Sequence, residues 1–171
     1  MKQDKIFDAL YEQQFAVDLS IRYHNHMINT MTFVSNILKQ MFCIIAGIYA
    51  GVLFAMGFIP ELTIILVVAN VMIFSWIKSA SNSVKFHTNK RTLFYLLKKH
   101  FPKDLLKGTE ELTTFIRNER EDIEKDDTKG FPCLDVICHN DVCIDRGLTN
   151  AVCPLTWVQR NIGRIIPINY R

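Results

Sequence analysis

Five side chains suited to nucleophilic or metal chemistry fall close together: Cys133, Cys138, His139, Cys143 and Cys153. Zinc needs about four thiolate or imidazole donors, most often offered as close pairs. Here the thiols are five, five and ten positions apart, with no close pair. A metal set would have to combine Cys143 and His139, one helical turn apart, with Cys133 and Cys153. Asp135, His139 and Cys143 also recur at four-residue steps, which would align an acid, a base and a thiol as covalent catalysis requires. No neighbouring segment suggests an oxyanion site or a substrate pocket. The expectation is structural: buried thiols beside hydrogen-bonded His139 and Asn140, with no enzyme activity, no catalytic residue, no metal and no cofactor. Cys138, His139, Asn140 and Asp141 form the polar cluster of this tail.

A second polar cluster, Arg22, Tyr23 and His24 with His26 beside it, lies near the N-terminus. His24 could be a hydrogen-bonded core histidine, a pH-responsive group or a contact to the tail. His24 and His26, two apart, point to different faces of a helix and cannot share an ion by themselves.

The elements that must position these clusters read as helices throughout. Residues 5–39 contain neither Pro nor Gly, and Phe7, Leu10, Val17, Ile21, Ile28, Met31 and Leu38 follow alternating three- and four-residue steps. Gln14, His24 and Ser35 fill the same stripe, so a long amphipathic helix with a partly polar seam is expected, with Asp4 as a candidate cap. In the tail, residues 84–101 continue a helix that Pro102 stops. Residues 104–127 read as another, with Leu105, Leu112, Phe115, Ile116 and Ile123 as its buried stripe. A short helix over 134–146 ends at Gly147. Beyond it, Leu155, Val158, Ile162 and Ile165 share a face edged by Trp157, Arg160 and Arg164. Such a basic face could lie on an anionic leaflet or pack on another helix.

Between these parts the sequence changes character. Residues 41–59 carry no charge, and at about 1.5 Å per residue they cover close to the ~30 Å hydrocarbon thickness of a bilayer. Pro60-Glu61 makes a polar break, and residues 62–77 form a second apolar run before Lys78. Lys78 can snorkel to an interface, and Trp76 stands where interfacial aromatics collect. The competing reading is a helical hairpin buried in a soluble protein. The expected organisation is an N-terminal amphipathic helix over 1–40, a transmembrane hairpin over 41–78 and a cytosolic helical tail over 79–171.

Within the first run Gly47, Gly51 and Ala55 recur every four residues. Lipid gives apolar helices no hydrophobic reason to associate, so a flat strip that admits close backbone approach is a packing device. It fits either the second span of the same chain or another copy. Asn70 is the strongly polar residue midway along the second run. It should meet Tyr49, a backbone carbonyl or Asn70 of a neighbouring chain, and it is the candidate polar point of a conduction path.

Charge sets orientation. Residues 78–107 hold eight basic residues against one acidic, and residues 108–129 hold four basic against eight acidic. Lys39 precedes the first run, six further cations from Lys78 to Lys99 follow the second, and the turn carries only Glu61. The positive-inside tendency places both termini in the cytoplasm of a multi-pass inner-membrane protein. The polar start argues against a cleavable signal peptide, and five cysteines, an odd number, argue for reduced thiols. The net charge of +3, with no phosphate-binding loop or aromatic-basic surface, gives no reason to expect nucleic acid.

A long N-terminal helix, a tight two-span hairpin and a helical tail, with Arg22-Tyr23-His24 before the spans and Cys138-His139-Asn140-Asp141 after them, resemble the SLATT type of bacterial two-transmembrane effector domain. The resemblance implies an all-α, homo-oligomeric membrane effector of bacterial or phage-defence conflict systems, pore-forming or membrane-perturbing, in contact with membrane lipid. It carries over no catalytic residue. The alternative is a non-enzymatic membrane scaffold or exclusion factor that recruits a cytosolic protein partner through its tail.

Overall fold

The computed structural model describes residues 2–56, 60–127 and 131–163, and all regular structure among them is helical. Helix α1 runs unbroken from Lys2–Met56 and α2 from Pro60–Lys98. Neither carries Gly or Pro in its interior until Gly47, so nothing interrupts the hydrogen-bond ladder between the amphipathic and apolar parts of α1. Asp4 lies inside the first turn of α1 rather than ahead of it, where its charge complements the helix N-terminus. Pro60 occupies the first turn of α2, where a missing N–H costs nothing. The turn at 57–59, the end of the first predicted span, lies outside the described residues, as do Arg164 and Ile165.

The single helix expected over 104–127 is divided. Asp104 caps a short 3-10 turn, Leu105–Lys107, and Thr109 caps α3, Glu110–Glu124, each accepting a backbone N–H two or three residues on. Two successive caps flanking Gly108 explain the break. Gly108 also packs so closely on Leu10 that a side chain there would collide with it. Helix α4, Pro132–Asp145, ends in a Schellman turn. Leu148 N–H donates to Cys143 O (2.8 Å), Gly147 N–H to Ile144 O (3.0 Å), and Gly147 takes φ +72°, a conformation that favours glycine. A capping box between Thr156 and Gln159 starts α5, Trp157–Asn161.

The chain divides into two compact units, Met1–Met27 with His87–Arg171, and Ile28–Phe86; α1 and α2 each contribute to both. The core of the first unit joins Leu10, Val17 and Ile21 of α1, Phe94 and Leu97 of α2, Phe101, and Ile116 of α3. The heptad stripe read from the sequence is thus the buried side of α1 in this unit. Phe115, expected in the α3 stripe, is instead exposed and meets His100 edge-on at 5.5 Å.

The second unit inverts this pattern. Both of its long helices are long and apolar enough to cross a membrane, and their apolar stretches are 0% and 6% buried. A hairpin forming the core of a soluble protein would hide these side chains within the chain, which this one does not.

Candidate functional site

The first unit brings together side chains from three separate segments. His24 comes from α1, His87 from α2, and Asp127 from the turn just after α3. His24 is fully buried and His87 nearly so. Their Nδ1 atoms are 2.8 Å apart, a hydrogen bond in which one ring donates and the other accepts. On its other side, His24 Nε2 lies 3.2 Å from Asp127 Oδ2. Phe94 stacks on His24 at 5.6 Å, and Tyr23 presents an edge to His24 at 5.6 Å and to His87 at 6.3 Å.

Local sequence explains the placement. His24 continues the α1 core stripe of Leu10, Val17 and Ile21. On the part of α2 that belongs to this unit the buried positions are His87, Lys90, Phe94, Leu97 and, just past the helix, Phe101, again on alternating three- and four-residue steps. Two polar side chains therefore stand where a helix seam normally places apolar ones. Asp127 is held by the turn that follows α3, its N–H donating to Glu124 O (2.9 Å).

Burial sets the electrostatics of the cluster. Loss of water, then the neighbouring His24, lower His87 to about 4, although Asp127 pulls the other way. Burial alone would raise the Asp127 carboxyl, but His24, followed by His87 and Lys90, outweighs it and holds the group below its ordinary value. At neutral pH the cluster is a neutral His87 and an ionised Asp127. Lys90, one turn along from His87, donates its ammonium to the Ile123 carbonyl. Neutral imidazole and carboxylate are the forms that bind metal ions, and the ligating atoms of His24, His87 and Asp127 lie within 4.8 Å of one another.

The two clusters read from the sequence approach each other at their margins. Arg22 pairs with Asp145, and His26 Nε2 lies 3.4 Å from Asp141 Oδ2. Both contacts are partly exposed, so each adds little stability. Tyr23 is buried against the two histidines. His139 packs edge-on against Phe15 at 5.5 Å and lies 3.7 Å from Cys143 Sγ. Asn140 makes a matched pair with the backbone of Cys153, its Nδ2 donating to the carbonyl and its Oδ1 accepting from the N–H, both at 2.7 Å. Cys133, Cys138 and Cys143 are buried. Burial, then Cys153, push the Cys143 thiol up, with Arg146 opposing, so the site favours the protonated thiol over the reactive thiolate.

In the second unit, a Cβ added at Gly47 or Gly51 would meet no described atom within 4 Å, and Ala55 is exposed. The strip is therefore open among the described residues. Asn70 Nδ2 donates to Leu66 O at 2.9 Å, the backbone-carbonyl partner among the three expected, and its buried Oδ1 has no partner.

His87 and Asp127 were not singled out in the sequence. The signal for His87 was the stripe 87, 90, 94, 97 and 101, hidden because two of its members are polar. No local signal marks Asp127, whose place depends on the tertiary path after α3. No family model, curated protein or solved structure matches this chain.

Proposed function

We propose that the chain is a multi-pass protein of the bacterial inner membrane with both termini in the cytoplasm, acting as a homo-oligomeric effector that perturbs the membrane or forms a pore. The observation that carries this reading is the bare apolar surface of the second unit. Ile64, Ile65, Val68, Val71, Phe74 and Trp76 are all at least half exposed. Contiguous apolar surface on this scale is costly in water and at home in lipid. Exposed Lys39, Lys78 and Lys85 flank the apolar stretches and supply the positive-inside bias. The open strip of Gly47, Gly51 and Ala55 supports contact between copies, because no described residue covers it. The layout shared with SLATT-type effectors fits the same role.

Expression in bacteria tests it. The chain is expected in the membrane fraction, with the membrane potential falling as expression rises. Gly51→Leu should change the packing of a single chain little, because a Cβ added there has no described atom within 4 Å. It should reduce both oligomer size in detergent and depolarisation. Recovery of the native chain in the aqueous fraction would sink the membrane reading, and an unchanged potential at high expression would sink the effector role.

A second reading, a scaffold that recruits a cytosolic protein through its tail, is favoured by α5, where Trp157 is 73% exposed and Val158 stands beside it. It predicts a stable partner lost on Trp157→Ala, with no change in potential.

A further inference from the structure

His24 Nε2 is sealed from water and makes no hydrogen bond, although Asp127 Oδ2 is only 3.2 Å away. A carboxylate this close to an imidazole nitrogen interacts with it electrostatically, yet the contact does not complete a well-formed hydrogen bond. An unpaired polar atom in a dry core is expensive, and this one is walled by Phe94 and Tyr23. Neighbouring corners of a coordination tetrahedron have this relation. With metal–nitrogen and metal–oxygen distances of about 2.0–2.2 Å, two ligand atoms sit about 3.3 Å apart with their lone pairs aimed at a shared centre rather than at each other.

We propose that His24 Nε2, a ring nitrogen of His87 and a carboxylate oxygen of Asp127 form a binding site for one divalent transition cation of the zinc class. Two imidazoles and one carboxylate suit zinc, cobalt or ferrous iron, whereas magnesium and calcium demand mostly oxygen ligands in greater number. The donors lie within 4.8 Å of one another, so His87 closes onto the ion by exchanging its hydrogen bond to His24 for the metal. A water carried in with the ion completes the fourth corner. The ion ties α1, α2 and the segment after α3 together, and the bound state is favoured over the unfolded chain accordingly. Lys90 opposes it, since its ammonium acts on Asp127 with the same sign of charge as the cation. The site is independent of the membrane reading: its test needs no transport or depolarisation.

The full chain, purified in detergent and stripped with a chelator, is titrated with Co²⁺ and then with Zn²⁺ in competition. The expected result is one Co²⁺ per chain, visible bands of tetrahedral nitrogen and oxygen ligation, displacement by Zn²⁺, and a rise in thermal midpoint. Asp127→Asn and His87→Gln should weaken affinity by more than the 10–100-fold usual for groups that merely orient ligands. Lys90→Met should strengthen it. If a variant does not fold, the wild-type spectrum still decides. Intense near-ultraviolet thiolate bands would place the ion on the tail cysteines and overturn the site. Absence of stoichiometric binding would overturn it too, leaving a hydrogen-bonded histidine pair without an ion.

Discussion

Asn140 and Asn70 carry the same side chain on helices of the two units, and their surroundings treat it in opposite ways. Asn140 is buried and uses both ends of its amide on the backbone of Cys153. Asn70 turns its Nδ2 back to its own helix and leaves its Oδ1 without a partner. The contrast extends to the rest of each unit. The first hides polar groups, including His24, His87 and Lys90, among apolar side chains. The second leaves its long apolar runs uncovered. A core that buries polar groups must satisfy them internally, whereas a surface that bares apolar groups must find them another solvent. The first unit is organised against water, and the second is suited to lipid.

Phe94→Ala should have the largest effect. Phe94 is the largest fully buried side chain among the described residues and stacks on His24, so its loss opens a cavity and admits water to the cluster. A cost of about 3–5 kcal/mol is expected, read from denaturant unfolding of the first unit. A loss below about 1 kcal/mol would mean that the core is not packed as described. Val68→Arg comes next and probes the second unit. Val68 is 52% exposed, so in water the change should alter stability by no more than about 0.5 kcal/mol. In hydrocarbon an arginine near a span centre costs about 2.5–3.5 kcal/mol, and the membrane-inserted fraction should fall sharply. Unchanged insertion would erase the contrast between the units.

Asn140→Leu ranks third. It removes both bonds to Cys153 and strands a backbone N–H and carbonyl in a partly buried site. Each lost bond is worth about 1 kcal/mol, and each stranded group adds to the cost, so about 2–3 kcal/mol is expected from thermal or denaturant melts. Near-neutral behaviour would show that solvent replaces the pair and that the first unit is wetter than its burial implies.

How much of this was written locally in the chain differs between elements. The long α1 and the end of α4 were legible because periodicity and Gly147 report on local geometry. The α1 stripe through Leu10, Val17, Ile21 and His24 needed only the helical repeat. The corresponding stripe of α2 was obscured, because His87 and Lys90 interrupt it with polar side chains while exposed Phe86 and Leu93 imitate an apolar face. Phe115 misled for a related reason: an aromatic beside Ile116 looks buried, yet it serves as a lid on His100 at the surface. Asp127 and the carbonyl of Cys153 could not be found by any local rule. One lies outside a helix, and the other is backbone, which no residue type announces.

The smallest effect sharpens the comparison most. Asn70→Leu keeps the branched outline of the side chain, though with larger volume, removes the unpartnered Oδ1 and loses one bond to the Leu66 carbonyl, which retains its helical partner. For a single chain in detergent the exchange should be neutral or stabilising by less than about 1 kcal/mol, because an unsatisfied acceptor disappears with the bond. Interhelical hydrogen bonds from such amides average about 0.6 kcal/mol in membranes, so an Asn70 that meets another copy would show a loss of that order in association instead. Subunit number measured against detergent concentration separates the outcomes. A weaker oligomer assigns the open Oδ1 to a neighbouring chain, and an unchanged one confines Asn70 to its own helix. A drop in monomer stability comparable to that of Asn140→Leu would show that the second unit satisfies its polar groups in the same way as the first.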